Sequence, residues 1–123
     1  EGSDVTIITY GLGVHWAMEY ADNHSDLSIE ILDLRTLLPL DIEAIYAAAR
    51  KTGRVVVLHE DCMTGGIGGE LVALITENCF EALDAPVKRV ASMDTPVPFA
   101  AQLEQQFFPK ERLQSAVEAV MNY

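Results

Sequence analysis

Val5-Thr6-Ile7-Ile8-Thr9-Tyr10 runs into Gly11-Leu12-Gly13, after which Val14, Ala17, Met18 and Ala21 recur at helical spacing to about Ser25. Branched and aromatic side chains suit a pleated strand, glycines end it, and the change of period from two to 3.6 marks a helix. The same succession follows three more times. Residues 29–34 are a second strand. Beyond Pro39, Asp41 is a natural N-cap for a helix with Ile42, Ile45, Ala48 and Ala49 on one face, stopped by Gly53. Val55-Val56-Val57-Leu58 is a continuous apolar run, the pattern of a strand covered on both faces. The glycine-rich turn 65–69 opens a third helix carrying Leu71, Leu74, Ile75 and Cys79, and residues 87–91 are a fourth strand. Pro96 and Pro98 keep the next loop extended, and Pro109 suits the first turn of a last helix with Leu113, Ala116, Val117, Val120 and Met121 on one side.

Alternating strands and helices with crossover-length connections imply an α/β fold: a three-layer α/β/α domain around a parallel sheet. Right-handed crossovers give the expected strand order 2-1-3-4. No repeat, low-complexity tract or linker divides the chain, so residues 1–123 read as a single domain. Half of the 123 residues are hydrophobic, which excludes wholesale disorder, and no apolar run reaches the roughly 18 residues of a membrane span. Eight basic against 19 acidic residues give a net charge of −11. Such a surface repels phosphate backbones and anionic membranes and favours a basic protein partner. Cys62 and Cys79 match no metal spacing and are expected reduced and buried. The chain opens at Glu1 without a methionine or a leader pattern and reads as part of a longer protein.

Ligands of an open parallel sheet gather outside the carboxyl ends of its strands. Gly11 and Gly13 with Asp33, 20 residues past Gly13, make most of a dinucleotide fingerprint, and a stand-alone nucleotide-binding module would rest on them. Trp16 stands where the third glycine belongs, and an indole there is expected to push the helix off the sheet or force another turn. The turn 65–69 lacks a P-loop ending and carries Glu70, which opposes a bound phosphate; close backbone approach is the better reading. His59-Glu60-Asp61-Cys62 alternates faces in an extended segment and cannot converge on one ion, so a polar strand end or a partner contact is expected. Asp33 and Arg35, two apart on one strand face, suggest an ion pair. No catalytic, cofactor-binding or metal set is complete.

The segments Asp4-Val5-Thr6-Ile7, Tyr10-Gly11, Leu32-Asp33-Leu34-Arg35-Thr36-Leu37-Leu38-Pro39-Leu40-Asp41 and Lys51-Thr52-Gly53-Arg54 resemble the C-terminal domain of transketolase-type enzymes. His59-Glu60-Asp61, Gly65-Gly66-Ile67-Gly68-Gly69-Glu70, Leu83-Asp84-Ala85-Pro86-Val87 and Asp94-Thr95-Pro96-Val97-Pro98-Phe99-Ala100 are similar to the β subunit of 2-oxoacid dehydrogenase E1 components. The wording at 77–80 and 94–100 is most like the branched-chain, or 2-oxoisovalerate, type. This resemblance implies an oxidoreductase that decarboxylates a branched 2-oxoacid with thiamine diphosphate and magnesium and acylates lipoyl groups of E2. Pyruvate and acetoin dehydrogenases are sister possibilities. It implies that the cofactor lies in other domains of the enzyme, and that this domain serves subunit packing and docks the basic peripheral subunit-binding domain of E2. It implies an oligomeric enzyme of the cytoplasm, or of the mitochondrial matrix in a eukaryote, and an antiparallel edge strand just upstream of Glu1. The exposed acidic C-terminal region makes Glu104, Glu118 and Tyr123 with its carboxylate the candidate partner-binding residues.

Overall fold

The apolar runs pair side by side, all pointing one way. In the computed structural model, which describes residues 1–123, β1 (Val5–Thr9), β2 (Ile29–Asp33), β3 (Val55–Cys62) and β4 (Lys88–Ser92) form one parallel sheet in the order β2-β1-β3-β4. Val5 stands opposite Ile29, and Thr6 opposite both Glu30 and Val55. The connecting helices are α1 (Leu12–Asn23), α2 (Ile42–Thr52), α3 (Ile67–Cys79), α4 (Ala101–Phe107) and α5 (Leu113–Met121).

Successive strand residues point to opposite faces, so the two central strands bury side chains on both. Val5, Ile7, Val56 and Leu58 pack beneath Trp16 and Ala17 of α1 and Leu113, Val117 and Val120 of α5. Ile8, Val55 and Val57 pack against Ile45 and Ala49 of α2 and Leu71, Ile75 and Cys79 of α3. Burying each such side chain contributes about 1.5–3 kcal/mol. Thr6 is also fully buried, and its hydroxyl is satisfied by the Ala48 carbonyl and the Thr52 hydroxyl of α2. The three layers and the strand order agree with the sequence reading.

Helix ends follow local chemistry. Asp41 caps α2 by accepting the Ala44 N–H at 3.0 Å, and Gly53 closes it in the left-handed conformation. Asp41→Ala should therefore lower stability by about 1 kcal/mol, read as a shift in urea midpoint at constant m-value. Helix α1 stops at Asn23 rather than Ser25, because the His24 ring turns back and donates through Nδ1–H to the Tyr20 carbonyl. Strand β3 runs on through Cys62, four residues beyond the apolar run, with a register irregularity against β4 between Leu58 and Cys62. Helix α4 gives no strong sequence signal: Ala100 supplies no capping side chain, and Phe107 is its one buried residue.

Trp16 does not displace α1. Gly13 brings the helix against the end of β1, and the indole is buried with its ring 5.7 Å from that of Phe108. Both cysteines are free thiols; Cys79 is buried, but Cys62, where β3 leaves the core, is half-buried.

Candidate functional site

The carboxyl ends of β1, β2 and β3 reach the surface at Tyr10–Leu12, Asp33–Arg35 and Glu60–Cys62, and each segment has a different local task. At β2, Asp33 Oδ2 meets Arg35 Nε at 2.6 Å while Oδ1 accepts the Arg35 backbone N–H at 3.1 Å. The expected ion pair is present, but not on a shared strand face: Arg35 lies beyond the strand in a left-handed turn, with φ of 58°. The carboxylate is what holds that unusual backbone. Because the guanidinium is 85% exposed, Arg35→Ala should change stability by less than about 1 kcal/mol, checked by thermal melting.

At β3 exposure does not alternate as expected, since Glu60 and Asp61 are both exposed where the register is irregular, and His59 is neither a polar strand end nor available to a partner. It is fully buried on the α3 side, while Glu60 and Asp61 are exposed. Its Nδ1–H donates to the Asp61 carbonyl at 3.1 Å, and its Nε2 accepts the Gly68 N–H at 3.2 Å, which fixes a neutral tautomer. Burial holds this imidazole below the usual histidine range; the Asp61 carbonyl and carboxylate oppose that, and Arg89 reinforces it. The glycines of the following turn explain themselves here. A Cβ on Gly66 would sit 2.6 Å from His59 Cε1, and one on Gly68 would sit 2.6 Å from Nε2. Close approach is therefore the role of this turn, and the element approached is the His59 ring.

Around the ring the loop is stitched to β4. Thr64 donates its N–H and its hydroxyl to Asp94, holding that carboxyl below its ordinary range. Arg89 donates to the Met63 carbonyl, and Ser92 to that of Glu60. A diphosphate and its metal ion would need free amides or converging carboxylates. The Gly68 amide is taken by His59 and the Gly69 amide by the Gly66 carbonyl, and Glu70 places negative charge in the same turn. No three His, Cys, Asp or Glu side chains converge anywhere on the domain. With those amides taken and Glu70 beside them, the turn 65–69 does not fit thiamine diphosphate with magnesium. Nor do Gly11, Gly13 and Asp33 make a nucleotide cleft, since Gly13 is packed against Thr9 and Asp33 is engaged by Arg35.

The candidate partner-binding residues fall in different places. Glu104 borders a groove of about 520 Å3 at the carboxyl end of the sheet, together with Tyr10, Glu60 and Phe107. Tyr123 lines another, of about 410 Å3, with Val72, Phe80 and Val87 where β4 begins, at the opposite end. Glu118 is exposed on α5, accepts from Gln114 Nε2, and lies close enough to Tyr20 to help burial raise its phenol. They do not form one patch. The groove beside Glu104 had no readable signal, because Tyr10, the β3 end and α4 meet only through the fold.

The family model for the C-terminal domain of transketolase matches residues 1–112. The chain is 47% identical over 110 residues to a 2-oxoisovalerate dehydrogenase subunit beta of Bacillus subtilis, an alignment covering 87% of this chain and 34% of that one. It is 40% identical over 113 residues to a pyruvate dehydrogenase E1 component subunit beta of Rickettsia bellii, covering 90% and 35%. Among solved structures it is similar to a split gene transketolase in an inactive beta4 tetramer, with TM-score 0.81 and 28% identity over 99% of this chain and 39% of the other. The chain thus spans about a third of the length of the curated relatives it matches. The family match over residues 1–112 and the fold shared with a split gene transketolase lead to one conclusion: the chain belongs to the transketolase C-terminal domain family.

Proposed function

We propose that this chain is the C-terminal assembly and docking domain of the E1 β subunit of a 2-oxoacid dehydrogenase complex, of the branched-chain type. Identities of 47% and 40% with the β subunits of a 2-oxoisovalerate and a pyruvate dehydrogenase support the E1 β reading, and the wording at 77–80 and 94–100 favours the branched-chain type. In the whole enzyme, thiamine diphosphate and magnesium belong to other domains, which decarboxylate the 2-oxoacid and pass the acyl group to lipoyl groups of E2. This domain packs against other E1 domains or subunits in an oligomer of the cytoplasm or mitochondrial matrix. An antiparallel strand ahead of Glu1 would add to a free sheet edge, β2 or β4.

Its partner is the basic peripheral subunit-binding domain of E2. The net charge of −11 supports this pairing, because opposite charge speeds encounter and makes the complex salt-sensitive. His59 has no catalytic task in this reading: both ring nitrogens are occupied inside the domain. The test of the division of labour is direct. The isolated chain, given thiamine diphosphate, magnesium and 3-methyl-2-oxobutanoate, should give no calorimetric binding signal and release no carbon dioxide above the buffer rate. Tight cofactor binding or turnover would overturn the reading.

A further inference from the structure

The groove beside Glu104 joins an aromatic floor, continuous with the core, to an acidic rim. Its floor is aromatic: Tyr10 from the end of β1, with Phe107 and Phe108 from the end of α4. Its rim carries Glu60, Asp61 and Glu104. Four of the 19 acidic side chains, Glu19, Glu30, Asp33 and Asp84, are paired with a lysine or arginine of the domain. None of the three at the groove has a lysine or arginine partner, and the side chains of Glu60 and Glu104 accept no hydrogen bond from the domain. Burial holds the Tyr10 phenol above its usual range, and the nearby Asp61 and Glu60 carboxylates add to this.

The segment leading into the groove is also unpartnered. Val97 and Leu103 are more than half exposed, and Phe99 is fully exposed. Three large apolar side chains exposed within seven residues mark a contact surface rather than ordinary scatter. A lysine or arginine matches such a site by its construction: the methylene stem lies on aromatic rings, the charged head reaches carboxylates, and the cation gains from the ring face.

We propose that this groove receives a lysine or arginine of a neighbouring polypeptide, whose flanking apolar residues cover Val97, Phe99 and Leu103. The inference deepens the docking role and rests on it for the nature of the partner, a basic protein segment. It names the carboxyl end of the sheet, not the Tyr123 end, as the receiving surface.

The protein carries its own reporter. Trp16, its sole tryptophan, packs on Phe108, which lines the groove. The probe is an amidated Leu-Phe-Arg-Leu-Phe peptide, with Leu-Phe-Glu-Leu-Phe as its control. Saturable change in Trp16 fluorescence is expected with the arginine peptide, at least tenfold weaker with the control and at least tenfold weaker for the Glu60→Gln/Glu104→Gln variant. Both positions are on the rim, so the variant should melt at the wild-type temperature. Equal binding of the two peptides, undiminished binding by the variant, or no binding would overturn the proposal. So would sedimentation showing a second copy of this chain in the groove. Titrating the E2 subunit-binding domain into wild type and variant separates the two levels: undiminished binding by the variant sinks the groove alone, whereas absence of binding to wild type, with peptide binding intact, sinks the docking role.

Discussion

His59→Ala is expected to remove about 3–5 kcal/mol of folding free energy, a large share of the 5–15 kcal/mol that a domain usually possesses. The ring is fully buried, so truncation leaves a cavity between β3 and α3. It also strands the Gly68 N–H and the Asp61 carbonyl, and a buried unpaired donor costs about 1–3 kcal/mol. Urea denaturation at constant m-value measures it; a loss below about 1 kcal/mol would mean the ring does not pin the turn.

The same geometry gives stability a pH dependence. Burial depresses the folded-state pKa of His59 below its usual 6.5, so between those values the unfolded chain binds more protons than the native one. Stability from this group is complete above pH 6.5 and drains away as pH falls below it. Asp94 and Glu30, whose carboxyls are held below 3.8 and 4.5 by Thr64 and Lys51, add their losses only in more acid solution. His59→Gln should therefore flatten the profile between pH 7 and 5 while leaving the steeper fall below pH 4.5. An unchanged slope between pH 7 and 5 in that variant would assign the effect to another group.

Gly13→Ala should have the second-largest effect, about 2–3 kcal/mol, because its Cβ would come within 2.1 Å of the buried Thr9 Oγ1. The helix must retreat from the sheet or Thr9 must leave its rotamer. Thr9→Ala alone should be close to neutral, since Oγ1 is buried without a hydrogen-bond partner. Combining the two should restore wild-type stability or exceed it: the remaining Thr9 Cβ is 3.5 Å away, an ordinary contact, and alanine is the better helix residue. A double-mutant cycle measures the coupling. Additive effects would show that the close approach at Gly13 is not what seats α1.

The sheet order, the layering and the cap at Asp41 were legible because their signals are local or periodic. Val55 to Leu58 reads as buried on both faces from four residues alone, and Gly53 announces a left-handed helix end. What escaped depends on distant partners. Polarity made His59 look like the end of a strand; only the approach of Gly66 and Gly68, seven and nine residues on, turns it into a core residue with both nitrogens satisfied. Trp16 looked too large for the helix–strand contact because spacing assigned that contact to the third position of a glycine motif. In the fold Gly13 makes it, and the indole reaches Phe108, 92 residues away in sequence. Glu104 and Tyr123, close in sequence terms, lie at opposite ends of the sheet because α5 runs back along it.

Calorimetric titration of this domain with the basic E2 subunit-binding domain, at about 50 mM and about 500 mM salt, tests its docking role most directly. We expect saturable binding at low salt that weakens at least tenfold at high salt, as association driven by opposite charge requires. Absence of binding at both concentrations, or affinity indifferent to salt, would contradict it.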